Sequence, residues 1–468
     1  MKDNAEELKR QRLFLEKDAE AAARFREENG RSLKFHVGTF GCQMNARDSE
    51  KLRGIFLAAG FEEAAEEEAD YILYNTCTVR ENADNRVFGR LGVLQGYREK
   101  KPGLRIALCG CMMQEKEAVA KIRRSYPYVN LIFGTHNLYA FPELLYRLLS
   151  GEKKITEIRE KNDAFVEDLP VERTFPFKSG VNIMYGCDNF CSYCIVPYVR
   201  GREISRSPED ILGEIRRLSG EGVVEIMLLG QNVNSYGKNL TPSVGFPELL
   251  ERAAEVEGIR RVRFMTSHPK DLSDSLIAAI AGNGKICRHL HLPVQSGSTE
   301  ILRKMNRHYT REQYLELVRK IRAGIPDISL TTDVIVGFPG ETEEDFSETL
   351  SLIRECAFDS VFTFEYSKRT GTPAAAMENQ VPADAVKERF ARLLETVKET
   401  GEKATGRFVG RTMEVLVEEM NREPGLVSGR IGQNITVHFP GDEKLIGKIV
   451  PVHLTECRGF YYFGKQEG

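Results

Sequence analysis

The feature that most restricts the fold is an alternation of apolar runs with amphipathic helical stretches, repeated along most of the chain. Between residues 34 and 149 the runs are "KFHVGTF", "ADYILYN" and "LRIALCG", with helical patterns at 46–59 and 87–98 between them. Such an alternation builds a parallel sheet with helices on both faces. From Val181 it resumes with a longer period through "VVEIMLLGQ", "IRRVRFMTS", "RHLHLPVQ", "LTTDVIVGF" and "SVFTFEY", separated by helices such as "SPEDILGEIRRLSG" and "REQYLELVRKIRAG". These strands and helices fit a partial or full βα barrel, whose chemistry sits on the loops that follow the strands. After residue 406 the pattern changes to short strands, "TMEVLVEE", "GLVSGR", "NITVHF" and "GKIVPVHL", set apart by glycine and polar turns. That is the pattern of a small β-barrel.

The expected fold class is α/β in consecutive blocks: a charged N-terminal extension at 1–32, an open parallel-sheet domain at 33–150, a polar linker at 151–172, a βα-barrel domain at 173–405 and a small β-barrel at 406–468. The extension lacks the apolar core of a secretory signal and reads as a solvated helix. No apolar stretch approaches the roughly 18 residues of a membrane span, so no membrane partner is expected. Ten cysteines in 468 residues are too sparse for a disulfide-stapled secreted chain. A cytoplasmic location is the expectation, and clustered cysteines there are metal ligands or catalytic groups. With a net charge of −3, a nucleic-acid partner must be held by a local basic patch.

Two sets of cysteines stand out. "GCDNFCSYC" puts Cys187, Cys191 and Cys194 in a C-x3-C-x2-C loop just after a strand, without the four paired ligands of a structural zinc site. Three thiolates can hold three irons of a 4Fe-4S cube and leave the fourth open to a ligand that is not protein. The second set is dispersed: Cys42 follows "KFHVGTFG", Cys77 follows "ADYILYN", and Cys109 and Cys111 end "LRIALCGC". In an open parallel sheet the carboxyl ends of the strands converge on one crevice, so these residues should meet in space. Cys287, Cys356 and Cys457 stand singly on apolar or aromatic segments and read as buried thiols.

The C-x3-C-x2-C loop resembles that of the radical S-adenosylmethionine (SAM) superfamily. Together with "FGCQMN", "NTCTVRENA" and "CGCMMQ", it makes the chain similar to the methylthiotransferases, a likeness that runs from Leu33 through a C-terminal TRAM-type β-barrel. The resemblance implies that Cys187, Cys191 and Cys194 hold a cluster whose open iron chelates SAM, with Tyr193 against the adenine. It implies Gly230 and Gln231 of "LLGQNV" near the methionine amino group, and Ile335 and Gly337 of "DVIVGFPGE" on the adenine side. The first motif lacks the superfamily's usual Gly-Gly-Glu, and Glu341 stands one residue late in the second. An auxiliary cluster on Cys42, Cys77 and Cys111 is implied as well, leaving Cys109 as a buried small hydrophobe. The implied cofactors are thus two 4Fe-4S clusters and SAM.

Within that family, "CSYCIVPYVRGREISR", "LLGQNVNSYG", "MTSHP" and "HLPVQSGS" resemble the branch that methylthiolates C2 of an isopentenylated adenosine next to the anticodon of tRNA. The branches acting on threonylcarbamoyladenosine tRNA or on a ribosomal-protein aspartate are expected to differ at the Gln231 and His268 positions. An iron-sulfur sensor that binds nucleic acid without turnover is the alternative from another class, and one cluster would suit it better than two. An adenine C2–H is neither acidic nor a leaving group, so ordinary acid-base catalysis cannot replace it by sulfur. The family's route implies one SAM as methyl donor and a second as radical source. Its implied partners are a tRNA anticodon stem-loop, an electron donor such as flavodoxin or ferredoxin, and a sulfur source. Because a reacting base must leave its stack, basic candidates for holding RNA are Arg200, Arg202 and Arg206, and Arg303, Lys304, Arg307 and Arg311. Tyr461 and Tyr462 could face RNA but read better as barrel core.

Overall fold

The computed structural model describes residues 4–78, 81–162 and 166–467. The chain divides into two bodies: Met1–Thr174 with Gly186–Asp188 and Ile195–Arg202, and Phe175–Tyr185 with Asn189–Cys194 and Glu203–Gly468.

In the first body, β1 (Lys34–Thr39), β2 (Glu62–Glu63), β3 (Tyr71–Thr76), β4 (Arg105–Gly110), β5 (Leu131–Phe133) and β6 (Ile155–Glu157) form one sheet in the order β2-β1-β3-β4-β5-β6. Every pairing is parallel. Alternate residues of each strand enter opposite cores, as the twofold period of a strand requires. Phe35, Leu73, Ala107 and Cys109 pack with Leu52, Ile55 and Phe56 on one face, whereas Ile72, Tyr74, Ile106 and Leu108 pack with Val87, Leu91 and Ile122 on the other. The stretch expected as a linker carries β6, the last strand of this sheet.

The N-terminal helix Asn4–Asn29 differs from the expected solvated helix. It docks on helix Phe141–Leu149, burying Glu7, Gln11, Asp18 and Ala22. Phe14 lies 5.8 Å from the Tyr146 ring, and Arg10 bonds Glu143 at 2.6 Å. Asp18 is buried, and neither carboxylate oxygen has a partner among the described residues. Burial pushes its carboxyl up to about 9. Because the folded value lies above the unfolded one, the group is neutral in both states at low pH. The cost of docking then grows by at most ~1.4 kcal/mol per pH unit as pH rises from about 4 towards 9. Asp18→Asn should therefore raise thermal stability modestly at pH 5 and by several times as much at pH 8.5. Melting curves at the two pH values check this, and an equal gain at both would contradict it.

In the second body, β7 (Lys178–Asn182) is followed by the short ribbon β8 (Met184–Tyr185) and β9 (Ile204–Ser205), then β10 (Glu225–Leu229), β11 (Arg261–Phe264), β12 (His289–His291), β13 (Ser329–Val336) and β14 (Ser360–Glu365). The parallel strands form two curved halves, β7-β10-β11 and β12-β13-β14, joined through the bridge Val262–Ile286. This is the six-stranded, partial form of the expected barrel. Its outer helices start where their caps dictate. Ser207 accepts from the Asp210 amide at 3.1 Å, and Thr310 and Gln313 form a reciprocal capping box.

Helix Ala383–Thr405 leads to β15 (Thr412–Met420), β16 (Leu426–Arg430), β17 (Thr436–Pro440), β18 (Ile449–Arg458) and β19 (Tyr461–Gln466), a closed barrel in the order β15-β16-β17-β19-β18. Tyr462 is fully buried in it, while Tyr461 stacks edge-on with His438 at 5.1 Å. Arg261 and Arg263 reach from β11 to the backbone carbonyls of Glu414, Arg430, Ile431 and Gly432 at 2.6–2.9 Å, with Glu225 at 3.0 Å from Arg263. These buried charge-assisted bonds fasten the small barrel to the strands of the larger one. Among the described residues no helix is long and apolar enough to cross a membrane.

Candidate functional site

In the first body, register brings the segments carrying Cys77 and Cys111 together, and a close approach at Gly41 adds that of Cys42. Thr39 pairs with Asn75, Asn75 with Cys109 and Thr76 with Gly110, so Cys77 and Cys111 leave neighbouring strands at the same level. Cys42 stands at the start of helix Gln43–Ala58. Gly41, at φ +151°, lies so close to the next strand that an added Cβ would sit 2.6 Å from the Cβ of Cys77. Asn45 and Asn75 lash the strand ends together: Asn45 Nδ2 donates to the Thr76 carbonyl at 2.9 Å, and Asn75 Nδ2 to the Asn45 carbonyl at 2.9 Å. Cys77 and Cys111 are buried, whereas Cys42 is exposed.

Burial pushes the Cys111 thiol up to about 12, Arg200 opposes that shift, and Cys77 and Cys42 add to it. Cys109, one pleat away, points into the core with Phe35 and Phe133; burial pushes its thiol well up, and Asp48 and Cys111 add to the effect. Among the described residues no three His, Cys, Asp or Glu side chains stand close enough to hold a single metal ion. A cube does not require it, because each of its cysteines binds a different iron. Val79 and Arg80 of the "NTCTVRENA" motif lie outside the described residues.

The C-x3-C-x2-C loop begins in this body. Gly186 is at φ +76°, and an added Cβ would lie 2.0 Å from the Arg202 carbonyl, so a side chain is excluded there. The Cys187 amide donates to the Gly201 carbonyl at 3.1 Å. The rest of the loop belongs to the second body. There Asn306 Nδ2 donates to the carbonyls of Asn189 and Phe190 at 3.2 and 3.0 Å, and Ser192 is held by Lys304 and Met305 at 2.8 and 3.0 Å. The Cys194 amide donates to the Cys191 carbonyl at 2.9 Å. Arg307 donates to Cys191 Sγ at 3.4 Å and to the Pro293 carbonyl at 2.6 Å.

Tyr193 and Ile335 share an apolar cluster with Phe338 and Tyr366. Gly230 packs on Met184, whose Cγ would lie 2.6 Å from an added Cβ, and Gln231 follows it half-buried. Gly337 donates its amide to Glu341 at 2.9 Å, and Arg389 contacts the same carboxylate at 3.0 Å.

A second signal comes from buried polar side chains, of which the sequence marked only His268. Asn182 Oδ1, Asn232 Oδ1, Ser267 Oγ and Tyr366 Oη are buried without hydrogen-bond partners among the described residues, as is Nε2 of His268. Each lies at or just past the carboxyl end of β7, β10, β11 or β14. Buried polar groups are nearly always bonded, so such a cluster of orphans fits a polar ligand. His268 is held neutral by burial and by the charges of Arg307 and Lys270, and its Nδ1 accepts the Lys270 amide at 3.3 Å. Nε2 therefore carries the proton and is a donor awaiting an acceptor. Thr266 and Gln295, at φ +65° and +72°, add strained backbone at the same ends of the strands.

The basic candidates divide. Arg200, Arg206 and Arg307 are buried and, contrary to expectation, present no guanidinium to RNA. Arg200 bonds Cys111 and Asn45, Arg206 pairs with Glu214 at 2.7 Å, and Arg307 faces Cys191. Arg202 and Arg303 are 71% exposed and pair with Asp188 and Glu300. Those exposed pairs are weak and can be exchanged for phosphate contacts.

Comparison with known proteins places three domains on the chain: residues 34–134 match "Uncharacterized protein family UPF0004", residues 181–353 the radical SAM superfamily and residues 406–466 the TRAM domain. The chain is 58% identical over 440 residues to a tRNA-2-methylthio-N(6)-dimethylallyladenosine synthase of Lachnoclostridium phytofermentans, covering 94% of this chain and 96% of the relative. It is 51% identical over 455 residues to the Acetivibrio thermocellus protein of the same name, covering 97% and 95%. Among solved structures it is similar to the radical SAM methyltransferase TsrM of Kitasatospora setae, with a TM-score of 0.52 at 16% identity over 74% of this chain and 77% of that one; this likeness concerns the fold alone.

Proposed function

Because the chain belongs to the family of tRNA-2-methylthio-N(6)-dimethylallyladenosine synthases, radical SAM enzymes, we propose that it adds a methylthio group to C2 of N6-isopentenyladenosine next to the anticodon of tRNA, with SAM as both methyl donor and radical source. The observation that carries the reading is the presence of two three-thiol sets, one in a single loop and one drawn from three neighbouring strand ends. In this reading Cys187, Cys191 and Cys194 hold one 4Fe-4S cluster and Cys42, Cys77 and Cys111 the other, each leaving one iron to a ligand that is not protein. Bound there, the clusters would relay the electron and carry the sulfur, and SAM would provide the methyl group and the radical.

The chain's own groups bind and orient. The orphaned atoms of Asn182, Asn232, Ser267 and His268 suit the polar groups of SAM, with Gly230 and Gln231 towards its amino group. Tyr193 and Ile335, clustered with Phe338, suit its adenine, and Gly337 stands on the same side. Burial of these groups would keep water away from the bound SAM. The β-barrel at 406–468, with the domains before it at 33–150 and 173–405, would meet the anticodon stem-loop, with Arg202 and Arg303 as phosphate contacts. An electron donor such as flavodoxin or ferredoxin and a sulfur source complete the reaction, which we place in the cytoplasm. Mass spectrometry of tRNA nucleosides from cells with and without the gene tests the reading. The methylthio nucleoside should vanish and its isopentenyl precursor accumulate; an unchanged nucleoside profile would contradict the assignment.

A further inference from the structure

We propose that Arg200 is a positioning residue for the auxiliary cluster, its N–H···S bond to Cys111 raising the reduction potential of that cluster; this rests on the two-cluster reading above. Arg200 is only 6% exposed, yet its nearest partners do not form a simple ion pair. Nε donates to Cys111 Sγ at 3.1 Å, and one terminal nitrogen reaches Asn45 Oδ1 at 3.0 Å and Asp48 at 3.5 Å. The planar fork thus touches sulfur, amide and carboxylate at once, which a lysine ammonium cannot reproduce. Helix Val196–Arg200 holds it there, with Ile195 and Val199 packed against Cys111.

Reduction adds negative charge to an iron-sulfur cluster. A cation and an N–H···S bond at one ligand stabilise the reduced state more than the oxidised one, so they raise the potential. The test uses the full-length chain with Cys187, Cys191 and Cys194 replaced by alanine, reconstituted anaerobically so that the auxiliary cluster is observed alone. Its midpoint is read by redox titration with electron paramagnetic resonance of the reduced cluster. Arg200→Met should shift the midpoint to more negative potential, and Arg200→Lys should shift it less. Arg31→Met removes the bidentate pair with Asp70 at 2.7 and 3.0 Å in the same body and should leave the midpoint unchanged. If Arg200→Met assembles no cluster, Arg200→Gln takes its place, with the same expected direction. An unmoved midpoint in the charge-removing variant, or an equal shift in Arg31→Met, would overturn the inference. A parent with no cluster would instead overturn the two-cluster reading on which it stands.

Discussion

Replacing Cys187, Cys191 and Cys194 together with alanine is expected to leave about four of about eight irons per chain and to abolish formation of 5′-deoxyadenosine. The three thiols lie in one loop whose backbone is tied down at both ends, by Gly201 at Cys187 and by Asn306, Met305 and Lys304 before Cys194. Their loss removes ligands without removing a buried hydrophobic element, so the rest of the fold should persist. The dispersed set uses other strands and should keep its iron. Iron analysis with anaerobic product assays distinguishes the outcomes. Loss of all iron, or of none, would contradict two independent sites.

The complementary variant, Cys42, Cys77 and Cys111 changed to alanine, should yield no methylthio product while slow 5′-deoxyadenosine formation continues. Cys109→Ala is the internal comparison. Its thiol packs in the apolar core, and trimming a small buried side chain costs some stability but no ligand. It should keep most iron and activity. A Cys109 variant that lost half its iron while the Cys111 variant did not would exchange the roles of the two residues.

The architecture was legible in the sequence because parallel strands covered on both faces write long apolar runs, and the helices between them show their caps. The expectation that Cys42, Cys77 and Cys111 meet has a related basis: each stands just beyond a strand, and strand ends converge in a parallel sheet. Cys109 and Cys111 separate because one belongs to the pleat of β4 and the other lies past its end. The docking of the N-terminal helix was hidden because its buried stripe includes Glu7, Gln11 and Asp18, which look solvated until Phe141–Leu149 is seen beside them. The arginines misled for the same reason. A guanidinium in "YVRGREISR" reads as an RNA contact until a partner such as Cys111 or Glu214 is brought to it by the fold. Asn182, Ser267 and Tyr366 carry no periodic mark at all; only the absence of a bonding partner in three dimensions singles them out.

The isopentenyl tail of the substrate offers several methyl and methylene groups, each worth about 0.8 kcal/mol when fully desolvated, so an apolar pocket can favour modified over unmodified tRNA by about a hundredfold or more. Phosphate contacts from arginines such as Arg202 or Arg303 would strengthen both substrates alike and could not make that choice. The decisive assay is therefore turnover of one anticodon stem-loop, with and without the isopentenyl group, at the same salt concentration, with nucleosides read by mass spectrometry. Methylthiolated product is expected from the isopentenylated stem-loop and little from the other. Equal turnover of the two, or product only from a ribosomal-protein peptide, would contradict the proposed substrate.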